Sequence, residues 1–504
     1  MKESKYNEHF NIYGRHFIVN TINNSICYLK EEDFNNFSNN KFDLISKRGK
    51  KELLKNSMLL LDNVDEVGNL KNKFNEDKVS KRLLDITIIT SLDCNFHCTY
   101  CYENHNGERL NEHSSKKIID FISSKLNENY DELLVTWYGG EPLLMIDLIY
   151  DMETKLNELC KKHNTKYNSY ITTNGYLINK SIINKFKKMY LQNICITLDG
   201  NKNDHDSRRK LANGKSTFDQ IVKNIMLLKE NDINCVIRIN IDKENTKDIK
   251  SLTNLIKNEL KCNYYFAQVK DYSGLDNCDL YLSNEEYAKE QFNNIKETPY
   301  LPRILSTSCR AVREPNYIID SNLNVYSCAF SINNKNGYLG NLKDNKFIEN
   351  DFSKWNPFKH KKCLDCSILP YCMGGCILDN LINKSPKCMP IKYNYRFLLE
   401  EYIKKNIINE DEVIRLKKSI LFRKEKDYIL ICDCKNLYDF TLSLDYYDLL
   451  CKLKEGAFKD TLTKEEKSVL KDFKKLNFLV NNKEISSNAL SRIQYNESEF
   501  YKWK

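Results

Sequence analysis

Between Asp85 and Asp271 the apolar positions switch repeatedly between two periods. Short apolar, β-branched runs predict strands at 85–90, 132–138, 168–173, 193–199, 235–242 and 262–270. Between them apolar residues recur every three or four positions, as in Ile118, Ile122 and Leu126, or Phe218, Ile221, Val222 and Ile225. That is the stripe of a helix buried along one face. Thr217 and Gln220 have the spacing of a capping box for the latter helix. Strands alternating with helices through right-handed crossovers give a parallel sheet. Six such units are too few for a closed eight-stranded barrel. The expected fold is therefore α/β, an open (β/α)6 partial TIM barrel over 85–300, with its chemistry at the carboxyl ends of the strands.

The flanks read differently. In residues 1–84, Phe17-Ile18-Val19 and Ile26-Cys27-Tyr28-Leu29 flank Asn23-Asn24 as a hairpin, and a helical stretch covers Glu52 to Leu61. This small α+β unit either packs on its neighbour or offers an edge to an extended peptide by strand addition. Residues 401–504 begin as a Lys- and Glu-rich helix. Strands at Tyr428-Ile429-Leu430-Ile431 and Phe440-Thr441-Leu442 follow, then a helix at 445–453 and another capped by Thr463 and Glu466. This tail echoes the amino-terminal unit. A helix from Asn284 to Ile295 leads into a cysteine-rich segment, 301–400.

Composition narrows the class. A net charge of +9 spread over 504 residues, with lysines among many Asp, Glu and Asn, describes a solvated surface and not a nucleic-acid site. The apolar runs are too short for a membrane span, and Met1-Lys2-Glu3-Ser4 lacks a signal-peptide core. Nineteen cysteines without an export signal point to metal ligation in a reducing cytoplasm.

The chemistry is concentrated after the first strand, where Cys94, Cys98 and Cys101 have Cys-x3-Cys-x2-Cys spacing. Three thiolates can hold a [4Fe-4S] cluster and leave one iron open to a small ligand. The alternative is a zinc loop, but zinc sites usually pair Cys-x2-Cys units to reach four ligands. Later strands end in Gly139-Gly140-Glu141-Pro142, Thr172-Thr173-Asn174-Gly175 and Leu198-Asp199-Gly200, the last followed by His205-Asp206-Ser207-Arg208-Arg209. The fifth strand carries Arg238 and Asn240. Each signal alone is weak; their order at successive strand ends makes them specific.

This segment resembles the radical S-adenosylmethionine (SAM) enzymes. The resemblance implies that Gly139, Gly140 and Glu141 hold the amino group of SAM's methionine and that Tyr100 lies along the adenine. It also implies that Asn174, Arg209 and Asn240 contact ribose and carboxylate. Cys309, Cys328, Cys363, Cys366, Cys372, Cys376 and Cys388 form a second block, with Met373-Gly374-Gly375 inside its core. One or two structural zincs would be the simpler reading, which seven thiols fit poorly. The block is similar to a SPASM domain, which implies two auxiliary [4Fe-4S] clusters and a peptide or protein substrate. If that pattern holds, the distal cluster takes Cys363, Cys366, Cys372 and Cys388. The proximal one then keeps Cys309, Cys328 and Cys376, with an open iron or a fourth ligand such as Cys278. Two departures stand out. The usual glycine five residues before the second cysteine is Leu323, so its turn would fall to Asn322 or Asn324 in a left-handed conformation. The aspartate of sulfatase maturases is Ala329.

The expectation is a cytoplasmic, oxygen-sensitive maturase of a ribosomally made, Cys-rich precursor peptide, forming a thioether cross-link. It would be served by a reductant such as a flavodoxin or ferredoxin, and the amino-terminal unit would bind the precursor. The alternatives are an anaerobic sulfatase-maturing enzyme and a non-catalytic iron–sulfur peptide-binding or redox protein.

Overall fold

The computed structural model describes residues 1–480 except 104, 106–107, 271–279, 296–298, 333–334, 345 and 436–437. Contacts divide the chain into two units: residues 63–398, and residues 1–62 together with the chain from 399 onward.

The larger unit is built on a ten-stranded sheet. Its strands are β1 (Leu83–Ile89), β2 (Glu132–Tyr138), β3 (Lys166–Thr173), β4 (Leu191–Thr197), β5 (Cys235–Ile241) and β6 (Asn263–Gln268). Four more, β7 (Asn316–Ile319), β8 (Asn324–Tyr326), β9 (Tyr338–Asn341) and β10 (Lys346–Phe347), come from the cysteine-rich segment. Strands β1 to β6 lie side by side in chain order, all parallel. This is the open partial barrel that the alternating periods predict. The sequence did not reveal that β7 pairs parallel to β1, with β8 to β10 extending the same sheet as antiparallel strands.

One face of each barrel strand packs on the helices. Ile86, Ile88, Val135, Trp137, Ile171, Ile194, Ile196, Ile237 and Ile239 are wholly buried there against residues such as Ile118, Ile122, Ile149 and Ile221. The alternate residues face the barrel interior and are more polar, since period two sends neighbours to opposite faces.

Two local expectations are corrected. Thr217 precedes helix Phe218–Lys229 but forms no capping box. The carboxylate of Asp206 accepts the amides of Thr217 and Phe218 at 2.8 and 2.9 Å, and Gln220 turns to Asn224. A carboxylate at a helix amino end also favours the dipole. The left-handed residue before Cys328 is Leu323 itself, at φ +68°, and neither neighbouring Asn. Asp320 over-determines this turn. It accepts from the amides of Asn322 and Asn324, both at 2.9 Å, the Asn324 side chain at 3.0 Å and the Tyr326 hydroxyl at 3.2 Å. Leu323 is 1% exposed, so burial holds a side chain where glycine would relieve strain.

In the smaller unit, Arg15–Asn20 and Ser25–Leu29 form the expected hairpin, and Asn7–Ile12 adds a third antiparallel strand. The helix expected from Glu52 to Leu61 instead spans Lys47–Lys55, and Leu59–Leu60 pairs with Lys2–Glu3. Left-handed Ser57 marks the break. Ile420–Lys424, Ile429–Asp433 and Tyr438–Leu442 form a second three-stranded antiparallel sheet. Arg15 fastens the two terminal segments together. It reaches Glu412 at 3.1 Å and Asp460 at 3.2 Å and lies 3.6 Å over the Phe458 ring. Among the described residues no helix is long and apolar enough to cross a membrane.

Candidate active site

The carboxyl ends of β1 to β6 surround a cleft partly open to solvent. Cys94, Cys98 and Cys101 all line it. Their loop is held from two sides. Phe96–Cys98 pairs antiparallel with Arg209–Leu211, and the amides of Thr99 and Ala212 bond to Arg208 and Asn95 carbonyls at 3.0 and 2.9 Å. This ribbon joins the cysteine loop to the segment after β4, a pairing with no signature in strand periodicity.

The second support is the turn after β2. The amides of Gly140 and Glu141 donate to the carbonyls of Ser91 and Asp93, each at 2.9 Å. Gly139 has φ +115°, and its missing Cβ would lie 2.3 Å from the Ser91 oxygen. Side-chain atoms are excluded because the two backbones touch. Both glycines face the cleft. Glu141 is wholly buried behind them. Its carboxylate accepts from the Leu143 amide (2.9 Å), the Thr173 hydroxyl (2.6 Å) and the Asn174 amide (2.7 Å). It thus ties β2 to the end of β3, and burial raises its pKa against these hydrogen bonds. Asn174 faces the cleft and donates to Asn95 at 2.7 Å.

Tyr100 is the hub of the opposite wall. Its hydroxyl donates to Asp199 and accepts from Arg209 Nη1 (2.7 Å) and Asn240 Nδ2 (3.1 Å). The Arg208 guanidinium lies 4.9 Å from the Tyr100 ring centre and is paired with buried Asp242 at 2.7 Å. Asp199 also accepts the Asn240 amide at 2.8 Å. His205 supports this wall without facing the cleft. Its Nδ1 accepts the Asp199 amide at 3.2 Å, and Nε2 donates to Thr217 Oγ1 at 3.1 Å. The Thr217 hydroxyl spends its own proton on the Arg209 carbonyl, which fixes this tautomer. Tyr100, Gly139, Gly140, Asn174, Arg209 and Asn240 therefore share one cleft, with Glu141 just outside it.

Sequence reading passed over several cleft residues. Tyr102 and Tyr138 meet hydroxyl to hydroxyl at 3.0 Å, Phe330 arrives from beyond Cys328, and Lys270 is ion-paired with Asp379. Phe330 and Asp379 follow cysteines at short spacing, a signal too common to be read alone.

The thiols suit iron. Burial pushes Cys94 and Cys101 up to about 12, so without a cation they stay protonated. Backbone amides point at the sulfurs: Phe96 at Cys94 (3.3 Å), Glu103 at Cys101, Ala311 and Val312 at Cys309, and Phe330 and Ser331 at Cys328. Amide–sulfur hydrogen bonds are the outer shell that iron–sulfur thiolates use. The later cysteines fall into two neighbourhoods. Cys366, Cys372 and Cys388 lie near enough to influence Cys363, and Cys309 and Cys376 lie near enough to influence Cys328. Among the described residues no three ligand-type side chains converge closely enough to share one metal ion. A cluster's thiolates bind different irons and stand farther apart. Cys278 lies outside the described residues.

Residues 88–256 match the Radical SAM superfamily. That segment is a radical SAM domain, and the chain is similar to a sulfatase-maturating enzyme and a cyclopropyl synthase of that superfamily. It is 28% identical over 329 residues to a cysteine-type anaerobic sulfatase-maturating enzyme of Clostridium perfringens, covering 57% of this chain and 86% of that enzyme. It is 22% identical over 403 residues to the radical SAM cyclopropyl synthase TigE of Paramaledivibacter caminithermalis, covering 71% and 80%. A solved structure, native anSMEcpe with bound AdoMet, has the same fold, with a TM-score of 0.53 at 20% identity over 64% of this chain and 98% of that one.

Proposed function

We propose that the chain is a SPASM-type radical SAM peptide maturase acting on a Cys-rich precursor peptide, most simply by forming a thioether. The observation that carries this is the convergence of Cys94, Cys98 and Cys101 with Gly139, Gly140, Asn174, Arg209 and Asn240 on one cleft. In this reading the three thiols hold a [4Fe-4S] cluster. Cluster and SAM, when bound, supply reductive cleavage to methionine and a 5′-deoxyadenosyl radical. The chain's own part is positional. The Gly139–Gly140 backbone faces the methionine end, Glu141 braces that turn, and Tyr100, within the cysteine loop, is held by Asp199, Arg209 and Asn240. The phenols of Tyr102 and Tyr138 and the ring of Phe330 exclude water from the inner cleft.

Cys363, Cys366, Cys372 and Cys388 would hold one auxiliary cluster and Cys309, Cys328 and Cys376 another, the second with a coordination position to spare. A metal-bound thiol is deprotonated without a separate base. That bears on the runner-up, formylglycine formation, which the relationship to sulfatase-maturating enzymes favours. Ala329 stands where their aspartate is expected and opens a short turn, Ala329–Ser331, whose Ser331 hydroxyl donates to the Cys328 carbonyl at 2.7 Å. Neither residue is a base at neutral pH. The amino-terminal unit is proposed to bind the precursor, and a flavodoxin or ferredoxin to supply electrons.

The test is to incubate iron-loaded, reduced protein and SAM with a Cys-rich precursor peptide and, separately, with a sulfatase-motif peptide. The expected result is 5′-deoxyadenosine in both tubes and loss of two hydrogens from the precursor alone. An aldehyde on the sulfatase peptide would make formylglycine synthesis the function. No 5′-deoxyadenosine at all would leave a non-catalytic iron–sulfur protein.

A further inference from the structure

One cation on the cleft wall forms no ion pair among the described residues. Arg238 stands on β5 two residues before Asn240 and on the same face, about 7 Å deeper in the barrel at 3.3 Å per residue. Its register neighbours are Thr197 on β4 and Tyr265 on β6. Tyr138, Tyr102 and Cys195 also lie near enough to influence it. Its Nε donates to Asn240 Oδ1 at 2.8 Å. The other cleft cations are matched: Arg209 lies 3.6 Å from Asp199, and Lys270 is paired with Asp379. Among the described residues Arg238 forms no ion pair. Glu103 also lines the cleft, but its hydrogen-bond partner is Tyr102 and it forms no ion pair with Arg238. A partly buried guanidinium whose hydrogen bond goes to an amide oxygen keeps its charge without the partner that offsets desolvation. A guanidinium does not escape this cost by losing a proton.

We infer that Arg238 is a receptor for a carboxylate, the planar fork of its guanidinium matching a two-oxygen anion. This rests on the reading of the cleft as the SAM and peptide site. Two carboxylates reach such a cleft: the methionyl carboxylate of SAM and an Asp or Glu side chain of the peptide. Depth favours the peptide. The groups assigned to SAM stand at the strand ends, whereas the Arg238 backbone lies one pleat repeat below them, beside β6 at the end of the sheet, and its Nε alone is bonded to one of them, Asn240. An acidic residue would then be drawn in near the residue to be modified.

The experiment measures equilibrium binding to cluster-loaded wild type, Arg238→Gln and Arg238→Lys. The probes are SAM, decarboxylated SAM, and the peptides N-acetyl-Gly-Cys-Gly-Asp-Gly-amide and its Asn counterpart. The wild type is expected to prefer the Asp peptide about tenfold. Arg238→Gln should abolish the preference, Arg238→Lys should restore part of it, and SAM affinity should move less than about twofold. A tenfold loss for SAM in Arg238→Gln, absent for decarboxylated SAM, would assign the receptor to the methionyl carboxylate. Wild-type binding indifferent to the carboxylate of both probe pairs would overturn the inference, and needs no variant to fold. Failure of the wild type to make 5′-deoxyadenosine would strike the radical reading alone, because the carboxylate preference is read at equilibrium.

Discussion

The carbonyl oxygen of Asp93 lies 2.2 Å from where a Cβ on Gly140 would stand. The obstacle is backbone of the loop leading directly into Cys94, so it cannot swing aside as a side chain would.

Gly140→Ala should therefore displace the cysteine loop from the end of β2. We expect at least about a hundredfold loss of SAM cleavage, most of which is misplacement of reacting groups. Iron bound by the later cysteines should remain. Measuring 5′-deoxyadenosine and iron per chain checks both; undiminished cleavage would mean the turn does not set the loop.

Replacing Cys94, Cys98 or Cys101 with Ala should remove one iron–sulfur signal and all SAM cleavage, while the auxiliary signals persist. Spectra of the reduced triple variant decide this. Cleavage by that variant would show that the reacting iron is held elsewhere.

His205 gives a pH prediction. Burial, and then the Arg209 and Arg208 charges, hold its imidazole down to about 3, and both ring nitrogens already have partners that suit the neutral form. The unfolded chain takes up a proton near pH 6.5, so between that value and about 3 it binds one that the folded chain does not. The stability due to the neutral ring is complete above about pH 6.5 and falls by up to about 1.4 kcal/mol per unit below it. Denaturation of the wild type and His205→Gln from pH 7.5 to 5 should show the wild type losing its advantage as the pH falls. A pH-independent difference would contradict the neutral buried imidazole.

Asp320→Ala should destabilise the larger unit by about 2–4 kcal/mol, because it removes a charged acceptor from four donors. Leu323→Gly relieves a left-handed residue, but the lost burial should outweigh that by about 1–3 kcal/mol. Denaturation midpoints of the unloaded proteins test both; a more stable Leu323→Gly protein would show that strain dominates.

Much of this was legible in the sequence because it depends on local pattern. Ile237, Arg238, Ile239 and Asn240 alternate, so strand, buried face and cleft face follow together. Thr463 and Glu466 form the capping box they spell, with Glu466 reaching back to the Thr463 amide at 2.7 Å. Thr217 and Gln220 spell one too, but Asp206 supplies the cap from eleven residues upstream, a competition that is tertiary. Pairing of Phe96–Cys98 with Arg209–Leu211, and of β7 with β1, joins segments far apart in the chain, and no local period records that. Arg238 showed its residue type in the sequence, but its lack of an ion pair among the described residues only in three dimensions.

The pairing of β7 with β1 joins residues about 230 positions apart. While the chain leaves the ribosome, β1 can find β2 early, but its other edge has no partner until β7 emerges. Such long-range pairing lengthens folding, and an uncovered edge invites association with other chains in the meantime. Iron delivery to Cys94, Cys98 and Cys101 would then compete with aggregation of the nascent protein. Overproduced chain should recover best where synthesis is slow and cluster assembly keeps pace.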